Sequence, residues 1–292
     1  MKSTMHSFLT RLLPLAGLLI FSSVHAANNT INDNEATRYV GISPELTGTP
    51  TQIIIQQGDE PFSDPERIAL LIDYLQSEGF QVAELFEDDR FEIYEGIGDR
   101  FRRSAERKSL TLEEYKGVLG FEDKRDRIVP FIENHLKTFE DAETQYNISK
   151  FVIAAILGIE SDFGQNIGRF NPFNTYVSMY AEDYRSDFAR AQLEELITFT
   201  RSNNIDPFEL KSSYAGAISY AQFIPYSLNQ WFVGDDIFDM DNNIYSIANY
   251  LAHFKEITGT MDGAVMRYNP SRLYTDAVLS LAKEAEELWG SR

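Results

Sequence analysis

One segment constrains this chain more than any other: Ile148 to Gly164, ISKFVIAAILGIESDFG. Ile148, Phe151, Val152, Ala155, Ile156 and Ile159 recur at helical spacing, and Ile153, Ala154 and Leu157 fill the other faces. A helix that is apolar nearly all round belongs inside a fold, with other helices packed about it. Asn147 or Ser149 can cap its start, and Gly164 can end it. Glu160 lies one turn beyond Ile156, at the end of the apolar stripe. Two readings follow. A helix-terminal Glu can belong to a structural ion pair. A carboxyl held at the end of a buried stripe is instead desolvated, which raises its pKa and makes it an available acid near neutral pH.

The segments around this helix are also helical. Asp64-Pro65-Glu66 is a helix entry, followed by Ile68, Leu71, Ile72 and Leu75 at helical spacing, with Gly79 as a stop. Further helices are expected over about 81–90 and 97–107, and Thr111-Leu112-Glu113-Glu114 resembles a capping box. One long amphipathic helix is expected from Asp123 to Tyr146, started or kinked at Pro130. The fold class is therefore mainly α, with any sheet small. Residues 27–64 read as a polar lead-in, with one possible strand at 52–56.

Residues 1–26 carry an address. Lys2 and Arg11 precede or open a ten-residue apolar run, Leu12 to Phe21, and Val24-His25-Ala26 is a cleavage-type ending. This is a secretory signal pattern, with cleavage expected after Ala26. The rival is an uncleaved anchor, for which the run is only half of the about 20 residues a bilayer helix needs. The chain is expected to be exported and soluble, most simply in a periplasm, with no membrane insertion after cleavage.

Charge and residue types exclude several chemistries. The formal net charge is −19, and removing Lys2 and Arg11 with the signal makes it −21. That argues against nucleic acid as a partner, because phosphate backbones are bound by basic surfaces. There is no Cys, which excludes disulfides, thiolate metal sites and a thioether-linked lipid. Beyond residue 26 only His135 and His253 remain, so a catalytic zinc site is not expected. A Ser-His-Asp hydrolase lacks its G-x-S-x-G elbow. No cofactor or metal is expected.

Two further segments carry candidate chemistry. Ser212 to Phe232, SSYAGAISYAQFIPYSLNQWF, interleaves small residues with Tyr214, Tyr220, Phe223 and Tyr226, and Gln222 offers both a donor and an acceptor. Stacking faces beside amides suit a sugar; a packed small-residue turn over the core suits the same composition. Arg267-Tyr268-Asn269-Pro270-Ser271-Arg272-Leu273-Tyr274 is a polar, aromatic turn before a last helix ending near Leu288, and alone it reads as a plain helix entry.

Together the motifs resemble the membrane-bound lytic transglycosylase B family, whose members cleave bacterial peptidoglycan. Glu78-Gly79-Phe80 and Leu110 to Tyr115 resemble its N-terminal helical part, and Ile156 to Gly164 its catalytic-Glu motif. Tyr184-Arg185-Ser186-Asp187-Phe188 through Leu193-Glu194 resembles its next helix. Lys211 to Pro225 resembles its Ala-Gly-Ala…Gln-Phe-x-Pro motif; Ser246 to Leu251 and Arg267 to Tyr274 resemble its last signatures. The likeness covers about residues 65–283.

The resemblance implies a lysozyme-like catalytic core with a small β part and additional N-terminal helices, in a domain spanning 65–292. It implies Glu160 as the single acid/base. It places Ser213 and Gln222 in the cleft and gives Tyr268, Asn269 and Tyr274 substrate contacts; Tyr220 and Phe223 join them as aromatic substrate-binding candidates. The substrate would be peptidoglycan glycan strands, cut at the β-1,4 bond between N-acetylmuramic acid and N-acetylglucosamine. A single carboxyl suits transglycosylation to a 1,6-anhydromuramyl end, whereas ordinary glycosidases use two. Asp162, two residues on from Glu160, points to another side of the helix; Asp183 and Asp187 are possible second carboxyls, with a solvated role favoured. The alternatives are a hydrolytic muramidase or a non-catalytic peptidoglycan-binding protein of the same fold.

The sequence departs from the family at Ser212, Ser219 and Ala221, where Gly is usual. Val233 to Ile237 is too short for the family's calcium loop, and Asp239-Met240-Asp241-Asn242-Asn243 lacks the central Gly, so no EF-hand calcium is expected.

Overall fold

A computed structural model describes residues 64–106 and 110–292. The expected signal segment, most of the lead-in and the strand at 52–56 lie outside the described residues. The first helices are α1 (Pro65–Ser77), α2 (Ala83–Glu87), α3 (Ile97–Glu106) and α4 (Leu112–Leu119). Next come α5 (Phe121–Asn134), α6 (Leu136–Tyr146), α7 (Lys150–Ser161), α8 (Pro172–Ala181) and α9 (Ser186–Ser202). The last are α10 (Pro225–Trp231), α11 (Met240–Thr258), α12 (Met261–Tyr268) and α13 (Arg272–Gly290).

Caps fix many of these boundaries. Asp64 accepts from Glu66 N ahead of Pro65. Thr111 and Glu114 form a reciprocal capping box. Asn171 accepts from Asn174 N with Pro172 in the first helical position. Each satisfies a backbone N–H that a helix start leaves without a partner. The start of α3 is capped by a distant residue instead: Glu182 accepts from the backbone N–H groups of Gly96, Ile97 and Gly98 at 2.6, 3.1 and 2.8 Å.

The apolar segment forms α7, and every residue from Phe151 to Ser161 is buried. It packs against α13, α5, α11 and α6, so it is the axis of the core. Around it, α8 lies on α9 and α11 on α12. Among the described residues the small β part is reduced to three antiparallel bridges, Phe170–Ser212, Ser212–Ile218 and Ile218–Phe223.

Three local expectations change. The helix expected over 123–146 is two helices, parted at His135 (φ −122°, ψ 26°) rather than at Pro130, which sits inside α5. The imidazole Nδ1 of His135 lies 3.1 Å from Asp241 Oδ1 on α11, so a distant side chain helps hold the break. The helix at 81–90 is confined to Ala83–Glu87, because Asp88 turns the chain by accepting from Arg90 N and its guanidinium. Finally, α7 ends at Asp162, in the left-handed conformation (φ 54°), and not at Gly164.

Candidate active site

The end of α7 is built to hold a carboxyl away from water. Glu160 is 6% exposed. Burial pushes its carboxyl up to about 7, while a hydrogen bond from Tyr274 works in the opposite direction. The Tyr274 hydroxyl donates to Glu160 Oε1 at 2.6 Å. Among the described residues the hydrogen-bond partner of this carboxylate is thus a hydroxyl and not a cation, against the ion-pair reading.

Tyr274 reaches the site from the third position of α13, whose start is fixed by Ser271 accepting from Tyr274 N. Two more tyrosines surround the same charge. Burial first, then the Glu160 charge, hold the hydroxyls of Tyr274, Tyr268 and Tyr115 protonated far above their usual range. Tyr268, at the end of α12, donates to Ala221 O at 2.5 Å. Tyr115, on α4, was not expected from its residue pattern. Its only sequence signal is a large aromatic residue one position after a capping box.

The chain beyond Glu160 turns sharply. Asp162, Phe163 and Gly164 have φ of 54°, 58° and 84°. Lys124 Nζ donates to Asp162 Oδ1 at 2.9 Å, and Arg127 binds the same oxygen. Burial raises the Asp162 carboxyl, but these two cations outweigh it and hold it below the usual range. The turn folds Phe163 back over Gly158, where an added Cβ would stand 2.8 Å from the ring. A side chain at position 158 would force that ring to shift. Asp162 is therefore a turn anchor and not a second carboxyl beside Glu160. Asp183 pairs with Arg67, and Asp187 with Arg190, both acids being exposed.

The second wall comes from residues 212–223. Ser213 adjoins the bridge ladder: its backbone N–H donates to Ala217 O at 2.9 Å, and its Oγ accepts from Ala217 N. Tyr220 faces the turn at Gly164, where an added Cβ would lie 3.4 Å from its ring. Phe223 is buried between Tyr268 and Tyr250, at centroid distances of 5.6 and 5.7 Å. Gln222 has φ 52°, and its Nε2 donates to Ser219 O at 2.9 Å. Gln222 Oε1, Asn269 Oδ1 and Ser219 Oγ are buried with no hydrogen-bond partner among the described residues. Buried acceptors are rarely left so.

Glu160, Tyr274, Tyr268 and Phe223 thus form one connected group, and Tyr220 joins it at the Gly164 turn. Ser213 is not linked to Glu160 by a hydrogen bond; it belongs to the ladder. The residues standing in place of Gly are accommodated locally. Ser212 donates to Phe170 O and Ser213 O, and Ser219 adopts φ 70°. Among the described residues, no three His, Cys, Asp or Glu side chains are grouped to hold a metal ion, and no helix is long and apolar enough to cross a membrane.

Residues 75–260 match the family described as Transglycosylase SLT domain. Membrane-bound lytic murein transglycosylase B from Escherichia coli strain K12 is 30% identical over 123 residues, covering 38% of this chain and 34% of that protein. The chain therefore aligns with about a third of that curated relative. Soluble lytic transglycosylase SltB1 from Pseudomonas aeruginosa superposes with a TM-score of 0.68 at 24% identity, covering 77% of this chain and 100% of that one. SltB3 from Pseudomonas aeruginosa, solved in complex with NAG-anhNAM-pentapeptide, gives 0.66 at 18% identity, covering 78% and 80%. The mainly helical, lysozyme-like architecture expected from the motifs is the fold these structures share with the chain.

Proposed function

The chain belongs to the Transglycosylase SLT domain family, and from that premise we propose that it cleaves the β-1,4 bond between N-acetylmuramic acid and N-acetylglucosamine in peptidoglycan, forming 1,6-anhydromuramyl ends. The observation that carries this reading is Glu160: buried, oriented by the Tyr274 hydroxyl, and with its carboxyl raised to about 7. A carboxyl poised there holds a proton at neutral pH and can take one back.

Protonated Glu160 donates to the glycosidic oxygen as the bond to muramyl C1 breaks and C1 gains oxocarbenium character. The carboxylate then accepts the proton of the muramyl C6 hydroxyl. That oxygen attacks C1 and closes the anhydro ring, so no water is consumed. No second carboxyl is required, which agrees with Asp162 being engaged by Lys124 and Arg127. Gln222 and Asn269, with buried acceptors lacking partners, suit the N–H and O–H groups of a bound sugar. Phe223 and Tyr268 support the cleft wall, and Tyr220 offers a partly exposed ring for stacking.

The same reading takes residues 1–26 as an export signal, 27–64 as a lead-in and 65–292 as the catalytic domain, working in the periplasm. The test is digestion of purified sacculi. The native chain should release soluble muropeptides, and Glu160→Gln should reduce release by roughly 10²–10⁴-fold. Sacculi bound by the native chain without any soluble product would instead assign it a binding role.

A further inference from the structure

The chain has 45 acidic and 26 basic residues, and many of its basic side chains are paired with carboxylates. Arg67, Arg90, Arg125, Arg127, Arg190, Arg272 and Arg292 all form ion pairs. Arg100 and Arg169 do not meet a carboxylate among the described residues, although both are exposed. They come from separate elements, α3 and the 165–171 loop, yet both guanidinium groups stand over the Phe170 ring, at 5.5 and 5.8 Å from its centroid.

The ring beneath them is fixed. Tyr94 packs edge-on against Phe170 at 5.1 Å, and its hydroxyl accepts from Asn171 N. Phe170 and Ser212 exchange backbone hydrogen bonds of 3.1 and 2.7 Å. Gly168 lies so close to that strand that an added Cβ would stand 2.1 Å from Ser212 O. Arg169 is therefore held beside Ser213, and Lys211, exposed, adds a third positive charge next to Ser212.

The geometry points to Arg100 and Arg169 as a carboxylate-binding site within a peptide's reach of Glu160, taking the free carboxylates of the peptide attached to the muramyl sugar. This inference rests on the glycan-strand reading above. Such a peptide hangs by its amino end from the sugar's lactyl group, so it ends in a free carboxylate. The bridge ladder sets the scale. Three bridges separate Phe170 from Phe223, the neighbour of Tyr268, a span of about 15 Å. A pentapeptide extends about 16–18 Å, so a stem anchored near Glu160 can reach the two arginines. A planar guanidinium also binds carboxylate through two parallel hydrogen bonds. The site answers how a strongly acidic chain holds an acidic substrate: the positive charge is placed locally.

The test uses the Glu160→Gln chain, so that ligand is not consumed, with two probes titrated calorimetrically. One is the N-acetylglucosaminyl-N-acetylmuramyl pentapeptide with free carboxylates; the other is the same molecule with its carboxylates amidated. The free acid should bind about tenfold more tightly, a preference that weakens with added salt. Arg100→Gln with Arg169→Gln should abolish that preference while leaving affinity for the amidated probe unchanged. Equal binding of the two probes by the parent, or equal loss for both in the double variant, overturns the carboxylate site but not the glycan reading. Failure of both probes to bind overturns the glycan reading, and the carboxylate site with it.

Discussion

The Tyr274 hydroxyl and Glu160 Oε1 stand 2.6 Å apart in a buried pocket, although 114 positions separate the two residues in the chain. The bond favours the carboxylate, whereas burial favours the acid. Burial wins, and the carboxyl titrates near neutrality. Tyr274 is thus a positioning residue that also limits how far the pKa rises.

Tyr274→Phe removes the bond that lowers the pKa, so Glu160 should hold its proton to higher pH. The alkaline limb of the kcat/KM profile should move upward. Rotational freedom gained by the carboxyl should also lower kcat by roughly tenfold. A pH–rate series on sacculi checks both; an unmoved alkaline limb would remove Tyr274 from the acid's environment.

Glu160 also makes stability depend on pH. Its carboxyl titrates near 4.5 when exposed and near 7 in the fold. Between those values the folded chain holds a proton that the unfolded chain has lost. Stability therefore falls as pH rises through this window, by about 3 kcal/mol in total. Glu160→Gln, which cannot ionise, should be more stable than the native chain at pH 8 by up to that amount and equal to it at pH 4. Denaturant unfolding of both proteins at the two pH values measures the difference.

The turn after Glu160 depends on Asp162, and Lys124 is nearly buried beside it. Asp162→Ala leaves that ammonium without its anion and puts a poor left-handed residue at φ 54°. A loss of roughly 2–4 kcal/mol is expected. Asp162→Asn tolerates the backbone and keeps one acceptor, so it should lose about half as much. Equilibrium urea curves for the two variants test the ordering.

Much of this could be read in the chain beforehand, where the cause was local. The spacing of Ile148 to Ile159 identifies a buried helix, and Ser149 does cap it, its hydroxyl oxygen accepting from Phe151 N. Asn147, the other candidate cap, instead closes α6 in the left-handed conformation. Thr111 and Glu114 declare their capping box within four residues. What escaped depends on distant partners. Asp162 rather than Gly164 ends α7, because Lys124 and Arg127 hold it there from another helix. His135 breaks the long helix beside Asp241, and Tyr115 approaches Glu160 only once α4 is packed. The motif resemblance groups Tyr274 with the substrate contacts; in the structure its hydroxyl donates to Glu160.

In the proposed reaction Glu160 takes the proton of the muramyl C6 hydroxyl, so that this oxygen and not water captures C1. Mass spectrometry of the muropeptides released from sacculi by the native chain decides it. Muramyl ends should be lighter by one water than reducing ends, with none incorporating heavy oxygen when the digest is run in ¹⁸O-labelled water. Reducing muramyl ends carrying the label would contradict it and assign the chain as a hydrolase.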